Sequence, residues 1–306
     1  FTGKKVLIVG TGKSGVAAAE LLQKKQADLI IFDGNKELKE EQVKEKSGAF
    51  SDAEIVLGEL PESVMEELDL VVLSPGVPTD LPMVNAIRDK KIPIIGEIEL
   101  AYQCAKGKIL AITGTNGKTT TTALLGEIMK NYFSDVKVVG NIGIPYTSVA
   151  ADTTEETVTV AEISSFQLET AVEFRPEVSA ILNITPDHLN RHHTMENYIA
   201  AKESITKNQT ADDICVLNYE DEVLREFGAG LQTKVIYFSS ARKLENGYYL
   251  DGTDICRAVD GKAEHICNVE ELNLLGKHNY ENVMAATAMA AGFGVPLEKI
   301  KEVLVR

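Results

Sequence analysis

The chain has 306 residues, 44% of them hydrophobic and 25% charged, which is typical of a folded globular protein long enough for two domains. Its formal net charge of −15 argues against nucleic acid as a partner, because phosphate backbones are bound by basic surfaces. The four cysteines lack the spacing of zinc sites or disulfide frameworks, and no apolar run is long enough to cross a membrane, so we expect a cytoplasmic protein, most simply a monomer.

The first hundred residues alternate between strand-like and helix-like patterns. Apolar strands alternating with helices predict a parallel sheet with helices on its faces. The pattern starts again at Lys108, so we predict a first domain over 1–97 and a second over 98–306. The predicted elements of the first part are strands at 4–9, 28–32, 68–73 and 92–95, and helices ending near 25 and spanning 36–48, 83–90 and 97–105.

A glycine-rich turn follows the first predicted strand. Gly10, Gly12 and Gly15 have the spacing of the dinucleotide-binding fingerprint, and Asp33 lies eighteen residues beyond the last glycine. The pattern shows only that a pyrophosphate can bind at a helix N-terminus, so NAD and another nucleotide diphosphate, such as a UDP-linked substrate, are equally good interpretations. A second turn, Ser74-Pro75-Gly76, ends a neighbouring strand, where open α/β sheets bind ligands.

A phosphate-binding loop is predicted where the second domain begins. The segment 109–120, ILAITGTNGKTT, has the order of a buried strand, a glycine-containing turn and a helix start that carries Lys118 and Thr119. Backbone N–H groups and the lysine can bind triphosphate oxygens, and the threonine hydroxyl can ligate Mg²⁺. The loop is shorter than the standard pattern, since Ile112 stands where the first glycine is usual. A dehydrogenase has no use for such a loop, so it weighs against NAD.

Two later strands end in side chains suited to phosphoryl transfer. Glu162 lies near the end of the predicted strand 158–163 and can hold Mg²⁺; the alternative is a solvated glutamate at a strand end. His188 follows the strand 178–184, and we expect it in the same crevice. We expect His192 and His193 on the loop surface.

Three further features give weaker indications of function. By its residues alone, Lys202 in the predicted helix 195–207 is an ordinary surface lysine. Asn141 lies in a Gly-Asn-Ile-Gly turn after the strand 136–139, a candidate substrate loop. Asn279 and Asn282 share a face of an alanine-rich helix that runs to about 292, where two amides can bind a base edge, although the helix also suits simple packing.

Six motifs in order resemble the Mur ligases of peptidoglycan synthesis. They are GTNGKTTT, GNIG, EISSFQLE, NITPDHLNRH, YIAAKESI and LLGKHNYENVMAA. The resemblance implies an ATP-dependent amide ligase with a Rossmann-like UDP-binding domain, a central P-loop-type α/β ATPase domain and a C-terminal domain. SSFQLE and the GTGKSG turn are most similar to the branch that adds D-glutamate to UDP-N-acetylmuramoyl-L-alanine.

The resemblance also implies roles for individual residues. Glu162 and Thr119 would hold one Mg²⁺, while His188 and Lys202, the latter carbamylated, would belong to a second metal site. Asn279 and Asn282 would contact adenine. The implied phosphate cradle consists of Gly114, Thr115, Asn116, Gly117, Lys118, Thr119 and Thr120, and the implied contacts to the UDP-muramoyl substrate come from Gly12, Ser14, Ser74, Gly76, Asn141 and His188. Lys118, Glu162, His188 and Lys202 are the implied catalytic residues.

The resemblance predicts a missing part as well. A full ligase of this type continues well beyond Arg306 into a domain that binds D-glutamate, so we expect this piece alone to have little or no turnover. Two other classes stay open on the residues: a P-loop ATPase that acts as a switch, and an NAD-linked oxidoreductase that uses Gly10 to Gly15.

Overall fold

The computed structural model describes residues 1–273 and 276–306, and within them α-helices and β-strands alternate along most of the chain. The strands are β1 (Lys5–Val9), β2 (Asp28–Asp33), β3 (Glu54–Leu57), β4 (Leu70–Leu73), β5 (Ile94–Gly96), β6 (Lys108–Thr113), β7 (Val136–Gly140), β8 (Val158–Glu162), β9 (Val178–Ile181), β10 (Ile214–Asn218), β11 (Lys234–Ser239), β12 (Gly247–Asp251), β13 (Asp254–Val259) and β14 (Lys262–Asn268).

The helices cover the faces of two sheets. They are α1 (Lys13–Lys24), α2 (Glu40–Lys44), α3 (Gly48–Ser51), α4 (Glu62–Met65), α5 (Pro82–Asp89), α6 (Glu97–Cys104), α7 (Lys118–Lys130), α8 (Tyr146–Val149), α9 (Ser165–Leu168), α10 (Leu189–His192), α11 (Met195–Glu203), α12 (Glu222–Ala229), α13 (Lys277–Phe293) and α14 (Leu297–Leu304). Short 3₁₀ turns lie at Ala150–Asp152, Ser204–Thr206 and Val269–Glu271. None of the helices within 1–273 and 276–306 has both the length and the apolar character needed to cross a bilayer.

The chain divides into two units by its internal contacts. The first comprises Phe1–Lys106, Gly143–Thr154 and Phe166–Phe174. The second comprises Gly107–Ile142, Glu155–Ser165 and Arg175–Arg306. Two segments from the middle of the chain therefore pack with the N-terminal part. This division does not test the domain boundary predicted between 97 and 98, which stays a prediction.

The first unit is built on a five-stranded parallel sheet in the order β3-β2-β1-β4-β5. Strands β1 and β4 are buried almost throughout, as expected for parallel strands covered by helices on both faces. The core of the unit forms around Leu7, Ile30, Val71 and Leu73. The order of the strands reverses on either side of β1, and the loops after β1 and β4 lie at that switch point, where α/β sheets bind ligands.

The second unit has a nine-stranded sheet in the order β14-β13-β12-β11-β10-β9-β6-β8-β7. Pairing is parallel from β7 through β12, and β12, β13 and β14 pair antiparallel, so the sheet is mixed. The small buried residues of α13 pack in the same core as α7 and the central strands. Both units are α/β, which confirms the predicted fold class.

The main differences from the predicted elements lie in two stretches. Helix is predicted over 36–48, but only Glu40–Lys44 is helical there, and a second short helix starts at Gly48. Asx-type contacts explain the late start, since the Asn35 side chain accepts a hydrogen bond from the Glu37 amide in a turn. Strand β3 and strands β10 to β14 are not among the predicted elements.

Candidate functional site

The loop between β6 and α7 has the backbone that a phosphate cradle requires. Gly114 and Gly117 have φ values of +148° and +85°, a region that favours glycine. A Cβ on Gly114 would lie 3.1 Å from the Leu182 Cβ, and one on Gly117 would collide with the Asn282 amide. The first turn of α7 carries no acidic side chain, so its positive end is open to an anion. This confirms the predicted strand, turn and helix.

The loop is fixed by the segment that follows β9. The Asn116 amide donates to Asn183 Oδ1 at 2.8 Å, and Asn183 Nδ2 donates back to the Asn116 carbonyl at 3.1 Å. The Thr115 amide donates to the Asn183 carbonyl at 2.9 Å. Asn183 therefore holds two consecutive loop residues through hydrogen bonds within the protein.

Two lysine ammonium groups converge on the same loop carbonyl. Lys118 Nζ donates to the carbonyls of Gly114 at 2.9 Å and Thr115 at 3.0 Å, and Lys202 Nζ donates to Gly114 at 2.8 Å. Burial lowers the pKa of Lys118, while the carboxylates of Glu162 and Asp187 act to raise it. The result is a concentration of positive charge over a glycine loop, in a protein that is acidic overall.

Lys202 is buried rather than a surface lysine. Its residue exposure is 2%, so the interpretation from the residues alone is wrong. Burial, and then the nearby Lys118 charge, lower the pKa of Lys202 to about 7. Its ammonium group also lies 4.8 Å from the centre of the Tyr198 ring. At neutral pH a substantial fraction of this side chain is therefore a neutral, nucleophilic amine.

Glu162 ends β8 directly beside the strand that leads into the loop. In the register of β6 and β8 it pairs with Ile112, and it is only 2% exposed, so the solvated alternative is wrong. Its Oε1 accepts a 3.3 Å hydrogen bond from Asn141 Nδ2. Gly140, with φ +132°, has no room for a Cβ because the Glu162 backbone occupies that space. The carboxylate is thus held at the carboxyl edge of the sheet.

The chain offers an incomplete set of metal ligands. Within the two described stretches, no three His, Cys, Asp or Glu side chains cluster closely enough to hold a metal ion. Magnesium at phosphate sites usually takes one or two protein oxygens and completes its shell with phosphates and water. The buried Glu162 carboxylate and the Thr119 hydroxyl at the start of α7 fit that donor type.

A cavity of about 380 Å³ adjoins the loop. Asn282 is buried, and its Nδ2 lies 3.4 Å from Asn279 Oδ1, so the two amides share a helical face as predicted. Leu182 and Phe238 supply apolar walls. The size and the mixture of apolar walls with amide groups suit a planar heterocycle. The lining residues are Asn116, Gly117, Leu182, Asn183, Phe238, His278, Glu281 and Asn282.

The three histidines after β9 have different surroundings. His188 is exposed, with its Nε2 3.4 Å from Asp187 Oδ2, and His193 is also exposed. His192 is only 4% exposed, and its Nε2 lies 2.9 Å from Ser165 Oγ, so its predicted surface position is wrong. His188 and His193 have φ values of +51° and +69°, and these left-handed residues at each end of α10 allow the turn to direct His192 inward.

The glycine-rich turn of the first unit is closely packed. Gly10 has φ +107°, and a Cβ there would lie 2.7 Å from Ser74 Oγ. A Cβ on Gly15 would collide with the Gly10 carbonyl. The turn after β1 and the turn after β4 are therefore in contact, and β4 neighbours β1 as the sequence predicts. Gly12 is exposed at the start of α1, whose first turn carries no acidic residue.

Both carboxylate oxygens of Asp33 accept hydrogen bonds beside this turn. Its Oδ2 accepts from Thr11 Oγ1 at 2.7 Å and its Oδ1 accepts from the Asn35 amide at 3.0 Å. Lys46 Nζ adds a 2.8 Å hydrogen bond to Thr11 Oγ1. A carboxylate that reads an NAD ribose needs free acceptor capacity. Each oxygen keeps a second lone pair, so these bonds position Asp33 and do not decide between NAD and another nucleotide.

Family models match both parts of the chain. The model described as the Mur ligase middle domain matches residues 112–290, more than half of the chain. This chain belongs to the Mur ligase family. The model described as the MurD-like N-terminal domain of Mur ligases matches residues 4–96.

Curated relatives of this Mur ligase chain are similar over its full length. The UDP-N-acetylmuramoylalanine--D-glutamate ligase of Lachnoclostridium phytofermentans is 55% identical over 306 residues, covering 100% of this chain and 67% of the relative. The ligase of the same name from Lachnospira eligens is 53% identical over 304 residues, covering 98% of this chain and 67% of the relative. The chain thus spans about two thirds of the length of these proteins.

Solved structures share the fold at low identity. The UDP-N-acetylmuramate:L-alanyl-gamma-D-glutamyl-meso-diaminopimelate ligase from Neisseria meningitides has a TM-score of 0.66 at 18% identity, covering 99% of this chain and 98% of that one. The UDP-N-acetylmuramate-alanine ligase from Thermotoga maritima has a TM-score of 0.57 at 22% identity, covering 98% of this chain and 68% of that one. These likenesses support the Mur ligase fold.

The second unit of this Mur ligase brings most of the predicted nucleotide-site residues into one neighbourhood. The loop from Gly114 to Thr120 meets Lys202, and Asn282 reaches Gly117 from α13. Sequence reasoning misses Asn183 and Tyr198, although both lie inside the six family motifs and each bonds the loop directly. Their positions in the sequence could have identified them, because Asn183 follows a strand end and Tyr198 lies one helical turn before Lys202. The substrate roles of Ser14, Gly76 and Asn141 stay predictions.

Proposed function

We propose that this chain binds the nucleotide and the acceptor precursor of an ATP-dependent ligase that joins D-glutamate to UDP-N-acetylmuramoyl-L-alanine. The observation that carries the proposal is the glycine loop after β6, with Lys118 and Lys202 bonded to it and Glu162 beside its strand. Relatives at 53–55% identity bear the name of this ligase, which supports the choice of amino acid.

ATP would bind with its phosphates on the loop and its base in the adjoining cavity. The N-terminus of α7 and Lys118 would neutralise phosphate charge, and the glycines allow close approach of the backbone. Asn282 would face the adenine edge from α13, with Phe238 and Leu182 on the cavity walls. Asn279 does not line the cavity and accepts a hydrogen bond from Asn282, so its contact with adenine stays a prediction. The open end of the loop would then present the γ-phosphate.

Metal binding would rest on few protein ligands. Glu162 and Thr119 would hold Mg²⁺ together with the phosphates, and the ion, when bound, offsets the repulsion between triphosphate and an incoming carboxylate. Neutral Lys202 can react with CO₂ to give a carbamate, which replaces a cation by an anionic oxygen ligand. The lowered pKa of Lys202, caused first by its burial, supports that modification. A second metal site with His188 stays a prediction.

The chemistry would proceed through an acyl phosphate. An oxygen of the alanyl carboxylate attacks the γ-phosphorus, the bond to the β-phosphate bridging oxygen breaks, and ADP leaves. The amine of D-glutamate then attacks the carbonyl carbon and loses a proton, and inorganic phosphate leaves with its bonding electrons. The residues of this chain contribute positioning and charge compensation, as Lys118 does beside Glu162.

The precursor would bind at the switch point of the first unit. Its pyrophosphate would lie at the N-terminus of α1 near Gly12 and Ser14, and Ser74 and Gly76 would flank it from the loop after β4. Cytoplasmic location and a monomeric state stay predictions. Synthesis from a UDP-linked precursor is consistent with both.

Calorimetric titration of the 306-residue chain tests the proposal. We expect binding of UDP-N-acetylmuramoyl-L-alanine to be at least about tenfold tighter than binding of plain UDP or the UDP-linked tripeptide, since about 1.4 kcal/mol of added contact gives that ratio. MgATP should bind in a separate titration, and NADH should not bind. Equal affinity for the three UDP compounds, or micromolar NADH binding, would contradict the assignment.

A further inference from the structure

His192 is a buried polar group that the ligase chemistry leaves without a role. Its ring nitrogen Nε2 is 2.9 Å from Ser165 Oγ, and Ser165 is 3% exposed. Burial, and then the charges of Arg191, Lys202, His188 and His193, lower the pKa of His192 to about 4. The ring is therefore neutral at physiological pH. Since neither group is open to solvent, direct contact with a substrate is not their function.

The His192 ring packs against a residue that contacts both functional parts of the nucleotide site. Its centroid lies 5.3 Å from that of Tyr198, with the planes tilted by 52°. The Tyr198 hydroxyl is 2.9 Å from Thr115 Oγ1 in the phosphate loop. The Tyr198 ring lies under the Lys202 ammonium. A shift of the His192 ring would therefore reach the loop and the lysine together.

The backbone of His192 also fixes the turn that carries His188. The His192 amide donates to the His188 carbonyl at 3.1 Å, and the His192 carbonyl accepts from Asn197 Nδ2 at 2.9 Å. Left-handed φ values at His188 and His193 make this turn costly without an anchor. The Ser165 hydrogen bond supplies an anchor from the segment three residues after Glu162.

We propose that His192 is a positioning residue, which uses its hydrogen bond to Ser165 to hold the His188 turn and the Tyr198 ring against the phosphate loop. This inference rests on the proposed function of the loop. It adds a link between the residues after Glu162 and the helix that carries Tyr198 and Lys202. The role requires a hydrogen-bonding group at the Nε2 position, and the face of the ring adds packing against Tyr198.

The test compares variants that keep or lose those two properties. His192→Phe keeps a ring and loses the hydrogen bond, Ser165→Ala removes the partner, and His192→Gln restores a hydrogen-bonding group near the Nε2 position. His193→Asn is the matched control, because it lies next in sequence, is exposed, and asparagine tolerates its φ of +69°. All variants are the full 306-residue chain, compared well below their unfolding midpoints.

The first readout is amide hydrogen exchange of residues 114–119 without nucleotide. We expect His192→Phe and Ser165→Ala to speed this exchange by about tenfold, the scale of one net hydrogen bond, with His192→Gln within about threefold of wild type and His193→Asn unchanged. Unchanged exchange in both His192→Phe and Ser165→Ala overturns the inference, as does failure of His192→Gln to recover protection.

The second readout is MgATP affinity, which we expect to fall about tenfold in His192→Phe and to recover in His192→Gln. Equal ATP affinity in wild type and His192→Phe overturns the positioning role. If wild type itself does not bind ATP, the proposed function of the loop fails, while the exchange measurement still decides whether His192 orders it. The two failures are thus distinguishable.

Discussion

At the scale of single residues, the nucleotide site depends on two lysines that share one carbonyl acceptor. Lys118 and Lys202 both donate to the carbonyl oxygen of Gly114, and each is partly or fully buried. Two ammonium groups so close are unfavourable without an anion, and Lys118 accordingly contributes to the lowered pKa of Lys202. Deprotonation of Lys202 relieves this repulsion and leaves Lys118 as the cation for a phosphate.

Lys118→Ala should weaken MgATP binding by about ten- to a hundredfold while leaving the fold intact. The side chain is the loop's own cation, and a buried charge-assisted hydrogen bond to phosphate is worth roughly 1.5–3 kcal/mol, about ten- to a hundredfold in affinity. Titration calorimetry measures the loss, with Lys130→Ala as the control, since that lysine at the end of α7 is exposed and forms an ion pair with Glu127, away from the loop. Binding within about twofold of wild type would contradict the role of Lys118.

Lys202 should carry a carbamate in the presence of bicarbonate. Only the neutral amine reacts with CO₂, and with a pKa of about 7 the neutral fraction rises steeply between about pH 6 and pH 8. ¹³C NMR of protein in ¹³C-bicarbonate should show a carbamate resonance that strengthens over this range. The resonance should vanish in Lys202→Met and persist in Lys118→Ala; its persistence in Lys202→Met would place the modification elsewhere.

At the scale of elements, the end of β7 determines where Glu162 lies. Gly140 has φ +132°, and its missing Cβ leaves the space that the Glu162 backbone fills. The amide of the next residue, Asn141, then donates to the Glu162 carbonyl at 2.9 Å. A close approach of two strand ends thus fixes a carboxylate at the sheet edge.

Gly140→Ala should destabilise the second unit by more than the cost of a positive φ alone. The left-handed region costs a non-glycine residue about 1–2 kcal/mol, and the clash with Glu162 adds to it. Gly294→Ala separates the two contributions, because Gly294 belongs to the same unit, has φ +110°, and a Cβ added to it would have no atom within 4 Å. Urea unfolding should show a markedly larger loss for Gly140→Ala; equal losses would mean that the close approach is unimportant.

The elements differ in how well their sequences predict them. Strands β1, β4 and β6 are mostly continuous apolar runs, whereas β8 alternates apolar residues with threonine and ends in Glu162. All four are largely buried, and the sequence predicts them within a few residues. Strands β12 to β14 form an antiparallel extension of the sheet, and one side of this extension is more exposed than the other. Apolar residues there are interspersed with charged ones. Their mutual pairing is local, through two-residue turns at 252–253 and 260–261, and the Asp-Gly pair at 260–261 is a hairpin signal that sequence reasoning misses. Only the parallel attachment of β12 to β11 depends on the tertiary fold.

In the site too, local sequence patterns predict some features and miss others that depend on residues distant in sequence. The loop from Gly114 to Thr119 is readable because its chemistry is local in sequence. The burial of His192 and of Lys202 is not, because each is covered by residues far along the chain, such as Ser165 and the carbonyl of Gly114. For Lys202 the family resemblance corrects what residue type alone suggests.

At the scale of the whole molecule, two segments of the middle region pack with the N-terminal unit. The Glu99 carboxylate, fully buried in α6, accepts hydrogen bonds from the amides of residues 172–174 at 2.9 to 3.0 Å. Glu97 accepts from Gln167 Nε2 at 2.6 Å, and the Lys106 amide donates to Thr153 Oγ1 at 2.8 Å. These contacts tie 143–154 and 166–174 to α6 and its C-terminal end.

These segments should therefore unfold with the first unit and not with the strands that flank them. In hydrogen exchange at increasing denaturant, peptides from 143–154 and 166–174 should lose protection together with peptides from β1 and β4, and separately from β8. Glu99→Gln should accelerate exchange at 172–174, because an amide oxygen is a weaker acceptor for three N–H groups than a carboxylate. Glu173→Gln, an exposed change in the same segment, is the control. Two observations together would show that the buried carboxylate does not hold the segment: loss of protection in step with β8, and exchange at 172–174 that Glu99→Gln leaves unchanged. Three charge-assisted hydrogen bonds cannot be weakened without a local effect.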